Sequence, residues 1–302
     1  MTKYQYHHVD VFTDRAFAGN QLAVFTDGRG LAAETMQAIA REMNFSETTF
    51  VLPAESLGNH FRLRIFTPAA ELPMAGHPTV GTTFVLARER LVEPQGEETT
   101  IYLEEGIGRV PVSIRFNGGE PRLIRMSQLL PTFGPRVSDP MSVAAMLSIE
   151  PGAIEAGLPI EVISCGVPFL FVPIVSLQAI KSIKLRQDLF ERVTGDMDVS
   201  GVFVFTREVE TAGSTVHSRM FAPELGVVED PATGSASGPV GCYLVRYGLV
   251  SEGPTAQMVS EQGIEIGRPS FVQIEIDHEG EEITGVRVGG YCHYVGQGYI
   301  ET

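Results

Sequence analysis

At 302 residues the chain is about twice the usual domain length, so two domains with separate cores are expected. Apolar residues at 43% and charged residues at 20% exclude a disordered or fibrous chain, and a net charge of −15 without a Lys/Arg cluster speaks against nucleic acid or an anionic membrane as partner. The N-terminus has no basic head followed by an apolar run, and the longest greasy stretch, 169–177, is too short to span a bilayer, so a cytoplasmic protein is expected.

Segments 4–12, 21–25, 48–52 and 60–66 are rich in β-branched and aromatic residues between Gly, Pro and Asp, and read as successive strands. Between them Met36, Ile39, Ala40 and Met43 follow the spacing of an amphipathic helix lying on one face of the sheet. Segment 79–92 is apolar over most of its first turns, as a helix buried nearly all round would be, and Pro78 suits a first helical turn. Composition turns to Pro and Gly over 129–140, which places a boundary between domains 1–130 and 131–302. The path of the last residues, 291–302, is left open, including a return onto the first domain. In the second half, 161–164, 169–172, 201–205, 215–221 and 271–276 read as strands, 186–193 as a short helix and 236–247 as a second buried helix.

The halves repeat each other. Arg64-x-Phe66-x-Pro68 returns as Arg219-x-Phe221-x-Pro223, and 75–92 lies on 233–250 without a gap, matching Gly76 with Gly234 and Arg88 with Arg246. Each buried helix therefore begins at a glycine in a polar loop, where unpaired backbone N–H groups can hold a carboxylate or oxyanion. The first loop carries Glu71 and His77; the second carries Glu229, Asp230, Thr233 and Ser235. The second loop also reads as an ordinary helix cap, because Asp, Thr and Ser all accept helix N–H bonds. Glu47 stands at a loop-to-strand junction, where partial burial would raise its pKa toward the range useful for proton transfer.

Cys165, Cys242 and Cys292 are scattered singly, as reduced core thiols are. His7 and His8 are neighbours on an alternating strand, so they point to opposite faces and cannot share a metal. Gly106 and Gly108 lack the third glycine of a dinucleotide fingerprint, and Gly234 to Gly238 lacks the Gly-x-Ser-x-Gly elbow of a serine hydrolase. No metal and no organic cofactor is called for.

Ala18-Gly-Asn-Gln21, Asn44-Phe-Ser-Glu-Thr-Thr-Phe50, Glu71-Leu-Pro-Met-Ala-Gly-His-Pro-Thr79, Glu229-Asp-Pro-Ala-Thr-Gly-Ser-Ala236 and Gln262-Gly with Gly267-Arg-Pro-Ser270 stand in the order of the PhzF-like family, which this chain resembles over nearly its whole length. The resemblance implies an α+β, diaminopimelate-epimerase-like fold: two pseudo-symmetric domains, each a curled sheet or barrel around a central helix, with the site in the cleft between them. It implies a cofactor-independent isomerase moving a proton within a small cyclic carboxylic acid, such as trans-2,3-dihydro-3-hydroxyanthranilate, with Glu47 as acid/base. His77 and Asp230 would complete the catalytic set. Asn20, Ser46, Gly76, Gly234 and Ser235 would bind the substrate, and a homodimer is expected. The two-cysteine racemases of the wider superfamily place a thiol before each helix-starting glycine, where this chain has Ala75 and Thr233. A silent small-anion-binding protein of the same fold is the alternative reading.

Overall fold

A computed structural model describes residues 2–195, 197–250, 253–280 and 282–302. The chain forms two compact units, one made of 1–127 with 287–302 and the other of 128–286.

The first unit opens with β1 (Lys3–Val11) and β2 (Asn20–Phe25), followed by α1 (Ala33–Met43), β3 (Glu47–Pro53), β4 (Phe61–Phe66), the short β5 (Glu71–Leu72), α2 (Gly76–Arg88), β6 (Glu98–Glu105), β7 (Gly108–Asn117) and β8 (Glu120–Ser127). The second runs β9 (Thr132–Val137), α3 (Pro140–Leu147), β10 (Ile160–Ser164), β11 (Pro168–Pro173), α4 (Leu177–Ser182), α5 (Gln187–Thr194), β12 (Val202–Thr206), β13 (Val216–Ala222), β14 (Val227–Asp230), α6 (Gly234–Arg246), β15 (Thr255–Gln262) and β16 (Ser270–Glu279). Strand β17 (Glu282–Gly290) leads out of it, and β18 (Cys292–Glu301) closes on β1 from Lys3↔Glu301 to Val11↔Cys292.

The sequence repeat has a structural counterpart in pairing order. β2 runs parallel to β3, β3 antiparallel to β4, β4 antiparallel to β5 and parallel to β6, and β6 antiparallel to β7. β11, β12, β13, β14, β15 and β16 pair in the same order with the same senses. The Arg-x-Phe-x-Pro phrase sits on β4 and on β13, and each arginine grips a carboxylate with both arms: Arg64 holds Glu71 and Arg219 holds Glu229. That fork-to-fork contact pins the loop leading to each central helix.

Both central helices have 13 residues and stop alike: Leu91 N–H donates to Leu86 O, and Leu249 N–H to Leu244 O. The turn needs a left-handed residue, supplied by Gly248 at φ 63° in one repeat and by Arg90 at φ 59° in the other. Every residue of α2 from Gly76 to Ala87 is buried, which explains its nearly uniform apolar pattern. Gly81 lets it lie close: a Cβ there would stand 2.6 Å from both Leu22 Cδ2 and Val11 Cγ2. α1 covers a separate layer, burying Met36, Ile39 and Ala40 against Phe25, Phe50 and Phe66. In the second unit α3, α4 and α5 cover a corresponding aliphatic and aromatic layer built on Val143, Leu170, Val204 and Phe190.

Candidate active site

The first unit brings Asn20, Glu47 and His77 together. Asn20 opens β2, Glu47 opens β3, and the two strands lie side by side in parallel register with Leu22↔Glu47. His77 is the second residue of α2. Asn20 is fully buried and His77 is 4% exposed, whereas the Glu47 side chain keeps 15%. Asn20 Nδ2 lies 3.2 Å from His77 Nδ1, and His77 Nε2 lies 3.1 Å from Glu47 Oε2, an ion-pair distance off the line of a straight hydrogen bond. With the Asn20 amide turned to donate, Nδ1 is the acceptor and the ring proton sits on Nε2, facing Glu47. The arrangement is a partly exposed carboxylate, an imidazole oriented toward it, and a buried amide that fixes the tautomer.

Ser46 and Glu47 follow a short turn after α1, whose C-cap Asn44 adopts the left-handed conformation at φ 52°. The turn delivers Glu47 half-buried at the start of β3, so its carboxylate reaches His77 while keeping some exposure. Gly76 is the first residue of α2, and its N-cap Ala75 has no side chain to close the first turn. Pro78 carries no N–H there.

The second unit builds a polar cluster at the start of α6. Asp230 ends β14, and its Oδ2 accepts from Thr233 Oγ1 at 2.5 Å. Thr233, the N-cap, donates its hydroxyl proton to Asp230, and its side-chain oxygen accepts no N–H of α6. Gln262 locks the corner: its Oε1 accepts from Thr233 N–H, and its Nε2 donates to Asp230 O at 2.8 Å and to Thr233 Oγ1 at 3.0 Å. Asp230 is 7% exposed, Gly234 is buried and Ser235 is half-buried. The capping reading of this loop is therefore corrected for Thr233, whose side chain makes no cap to α6 and bonds Asp230 instead. Glu229 and Glu71 belong to the arginine clamps and are structural.

Gln262 was quoted in the sequence only as part of a phrase, and its bridging position needed the tertiary structure. His217, which no phrase contains, is 0% exposed on β13, and its two ring nitrogens face Glu261 Oε1 at 2.9 Å and Glu265 Oε1 at 2.8 Å. Burial opposes the charge on His217, but these two carboxylates prevail and take its pKa up to about 9. Glu261 is opposed by burial too, and the His217 hydrogen bond with the Glu210 and Thr211 N–H groups brings it down to about 2. Glu210, His217 and Glu265 are grouped closely enough to hold a cation, yet His217 is engaged by carboxylates on both sides and Glu210 by Lys181 at 2.7 Å, so the cluster is satisfied as it stands.

Cys165 and Cys242 are buried, and Cys242 lies in the third turn of α6 rather than at its start. Ala75 and Thr233 are the N-caps of the two central helices, so neither helix start offers a thiolate. Among the described residues no helix is long and apolar enough to cross a membrane.

The profile of a family described as phenazine biosynthesis-like protein, PhzC-PhzF, matches residues 9–298. The trans-2,3-dihydro-3-hydroxyanthranilate isomerase of Pseudomonas aeruginosa is 37% identical over 287 residues, covering 95% of each chain. A crystal structure of a PhzF-family phenazine biosynthesis protein from Bacillus anthracis superposes with a TM-score of 0.91 at 29% identity over 100% of both chains. A hydroxyproline epimerase of Agrobacterium vitis shares the fold alone, with a TM-score of 0.65 at 13% identity over 99% of this chain and 91% of the epimerase. The chain is an isomerase belonging to the PhzC-PhzF, phenazine biosynthesis-like family, with the diaminopimelate-epimerase-like α+β fold.

Proposed function

We propose that this protein moves a proton within a small cyclic carboxylic acid of the trans-2,3-dihydro-3-hydroxyanthranilate kind, with Glu47 as the acid/base and no added cofactor. The observation that supports this reading is the Asn20–His77–Glu47 array, in which a partly exposed carboxylate faces an imidazole whose tautomer a buried amide sets. Glu47 takes a proton from one carbon and returns it to another, so the substrate leaves with its composition unchanged. His77 holds the Glu47 carboxylate in place between the two transfers, and its Nε2–H offsets the charge that Glu47 carries when it is deprotonated.

The substrate's carboxylate needs donors. Gly76 supplies the first N–H of α2, and Gly234 and Ser235 supply those of α6, helix starts whose N-cap side chains do not close them. Asp230 pairs with a polar substrate group, while Asn20 and Ser46 line the ligand beside Glu47. These binding roles come from the family phrases that the residues occupy. The relative from Pseudomonas aeruginosa, similar over nearly the whole length, supports the choice of substrate class.

Turnover in deuterium oxide tests the reading. The wild-type chain is expected to isomerise trans-2,3-dihydro-3-hydroxyanthranilate with deuterium appearing at one carbon, and Glu47→Gln to slow this about 10²- to 10⁴-fold, the span of general acid–base contributions. Undiminished exchange in Glu47→Gln would remove Glu47 from the mechanism. Binding without any exchange across a panel of cyclic hydroxy and amino acids would favour a silent anion-binding protein.

A further inference from the structure

Thr79 lies in the first turn of α2, fully buried, with its Oγ1 2.7 Å from Ala75 O and 2.6 Å from Glu105 Oε1. A hydroxyl has one proton to donate, and a backbone carbonyl can only accept. Both contacts are hydrogen bonds only if one partner supplies a second proton, and among these three groups only the Glu105 carboxyl can. The order is then Glu105 O–H to Thr79 Oγ1, and Thr79 O–H to Ala75 O.

The surroundings of Glu105 agree. It ends β6 at 6% exposed, and its Oε2 is buried without a hydrogen-bond partner, a position that a carboxylate would occupy at high cost. Among the described residues no cation is paired with it. On β4, Arg62 is taken by Glu55 and Arg64 by Glu71 of β5. On its own strand Glu104 turns to the Glu55 and Ser56 N–H groups and to Asn59. On β7, Arg109 lies over the Tyr102 ring, and on α2 His77 is directed to Glu47 and Asn20. Burial therefore raises the pKa of Glu105, with the Thr79 bond acting the other way, to about 8.

We propose that Glu105 is a positioning residue that works as a neutral acid: by donating to Thr79 it leaves the Thr79 proton for the carbonyl of Ala75, and so fixes the Ala75–Gly76–His77 turn against Glu47. Ala75 is the N-cap of α2 and has no side-chain cap of its own, so this bond is a side-chain tie on the residue that leads into His77. When Glu105 ionises it becomes an acceptor only, the Thr79 proton turns to it, and the Ala75 carbonyl loses its hydroxyl. The device makes the placement of His77 sensitive to mild alkali. Its effect on turnover rests on the reading of His77 and Glu47 given above; its effect on the turn does not.

The test is a pH titration of the full chain by NMR with ¹³C-labelled glutamate and ¹⁵N-labelled histidine and glycine, without substrate, on wild type and Glu105→Gln. The Glu105 carboxyl, identified as the resonance that the variant lacks, is expected to titrate near pH 8. The Gly76 amide and His77 ring signals are expected to move with the same midpoint in wild type and to stay still in Glu105→Gln, whose amide still donates to Thr79. With trans-2,3-dihydro-3-hydroxyanthranilate as probe, wild-type kcat/KM is expected to fall above pH 8, and Glu105→Gln to lose that limb while remaining within about threefold of wild type at pH 7. Glu105→Leu offers no acceptor that could take the Thr79 proton from Ala75 O, so it too is expected to lack the alkaline limb, and an alkaline limb kept in both variants would overturn the proposal. A carboxyl titrating between pH 4 and 5, or the same alkaline movement of His77 in Glu105→Gln, would overturn the proposal. Normal NMR behaviour without turnover would count against the assigned reaction and leave the role of Glu105 standing.

Discussion

Replacing Glu105 by glutamine should alter the pH dependence of stability by an amount that follows from burial. The carboxyl titrates near 8 in the folded chain against an ordinary value of 4.5. An acid raised on folding favours the folded state fully below 4.5 and loses that advantage as pH rises through 8. At about 1.4 kcal/mol per unit, the loss is under about 1 kcal/mol at pH 5 and about 3 kcal/mol at pH 7, and it levels off above pH 9. Glutamine has the same shape and never ionises, so the variant should gain about 2 to 3 kcal/mol on wild type between pH 5 and pH 7. Hydrogen exchange of the α2 amides during urea titration reports the unit that carries Glu105, which matters in a chain of two units that can unfold in steps. A stability difference independent of pH would refute the reasoning, because it would mean that Glu105 titrates alike in folded and unfolded chains.

Asn20→Ala removes the donor to His77 Nδ1, and kcat/KM should fall about 10- to 100-fold, in line with the roughly 1–3 kcal/mol of a buried group left unpaired; an unchanged rate would remove Asn20 from the array. Arg219→Leu strands Glu229 where both partners are under 10% exposed and frees the Ile180 and Ile183 carbonyls, so it should cost about 3–5 kcal/mol in denaturant titrations. The equivalent Arg64→Leu should cost about 1 kcal/mol or less, because Glu71 is 42% exposed. Gly81→Ala gains about 1 kcal/mol of helix propensity but drives a methyl into Val11 and Leu22, an overpacking of about 1–3 kcal/mol, and the unfolding midpoint should drop or at best stay level. The His217 cluster sets a window of its own. The raised His217 contributes fully below 6.5 and loses its contribution through 9, while the lowered Glu261 contributes fully above 4.5 and loses it as pH falls toward 2. Stability from this cluster should peak between pH 4.5 and 6.5, and His217→Gln should flatten both flanks in thermal scans.

Much of the fold was legible because its signals are local. The buried helices announced themselves by apolar residues on every side, and α1 by its i, i+3, i+4, i+7 spacing. The duplicated Arg-x-Phe-x-Pro phrase marked equivalent strands, and the structure shows what each arginine does there. Strands β5 to β9, β14, β15, β17 and β18 were not legible in this way. Much of β18 is half-buried and interrupted by glycines, so neither a continuous apolar run nor a clean alternation marks it. The helix starts were legible too: each buried helix was expected to begin at its glycine, and α2 starts at Gly76 and α6 at Gly234.

The family phrases in the sequence named Glu47, His77 and Asn20 as members of one site. They could not say that Asn20 faces Nδ1 while Glu47 faces Nε2, since that depends on two parallel strands and a helix start converging from 57 residues apart. The role of Glu105, and that of Gln262 beyond its place in a phrase, were silent for the same reason. Each acts on a helix start that lies 26 or more residues away along the chain, and no periodicity or spacing records such a contact. By itself the sequence determined which chemical groups the protein carries, that its two halves repeat, and where its buried helices lie, because those follow from residue type and local pattern. Only the tertiary structure decided which donor meets which acceptor, and whether a buried carboxyl must keep its proton, because hydrogen-bond arithmetic and desolvation depend on neighbours brought together by folding.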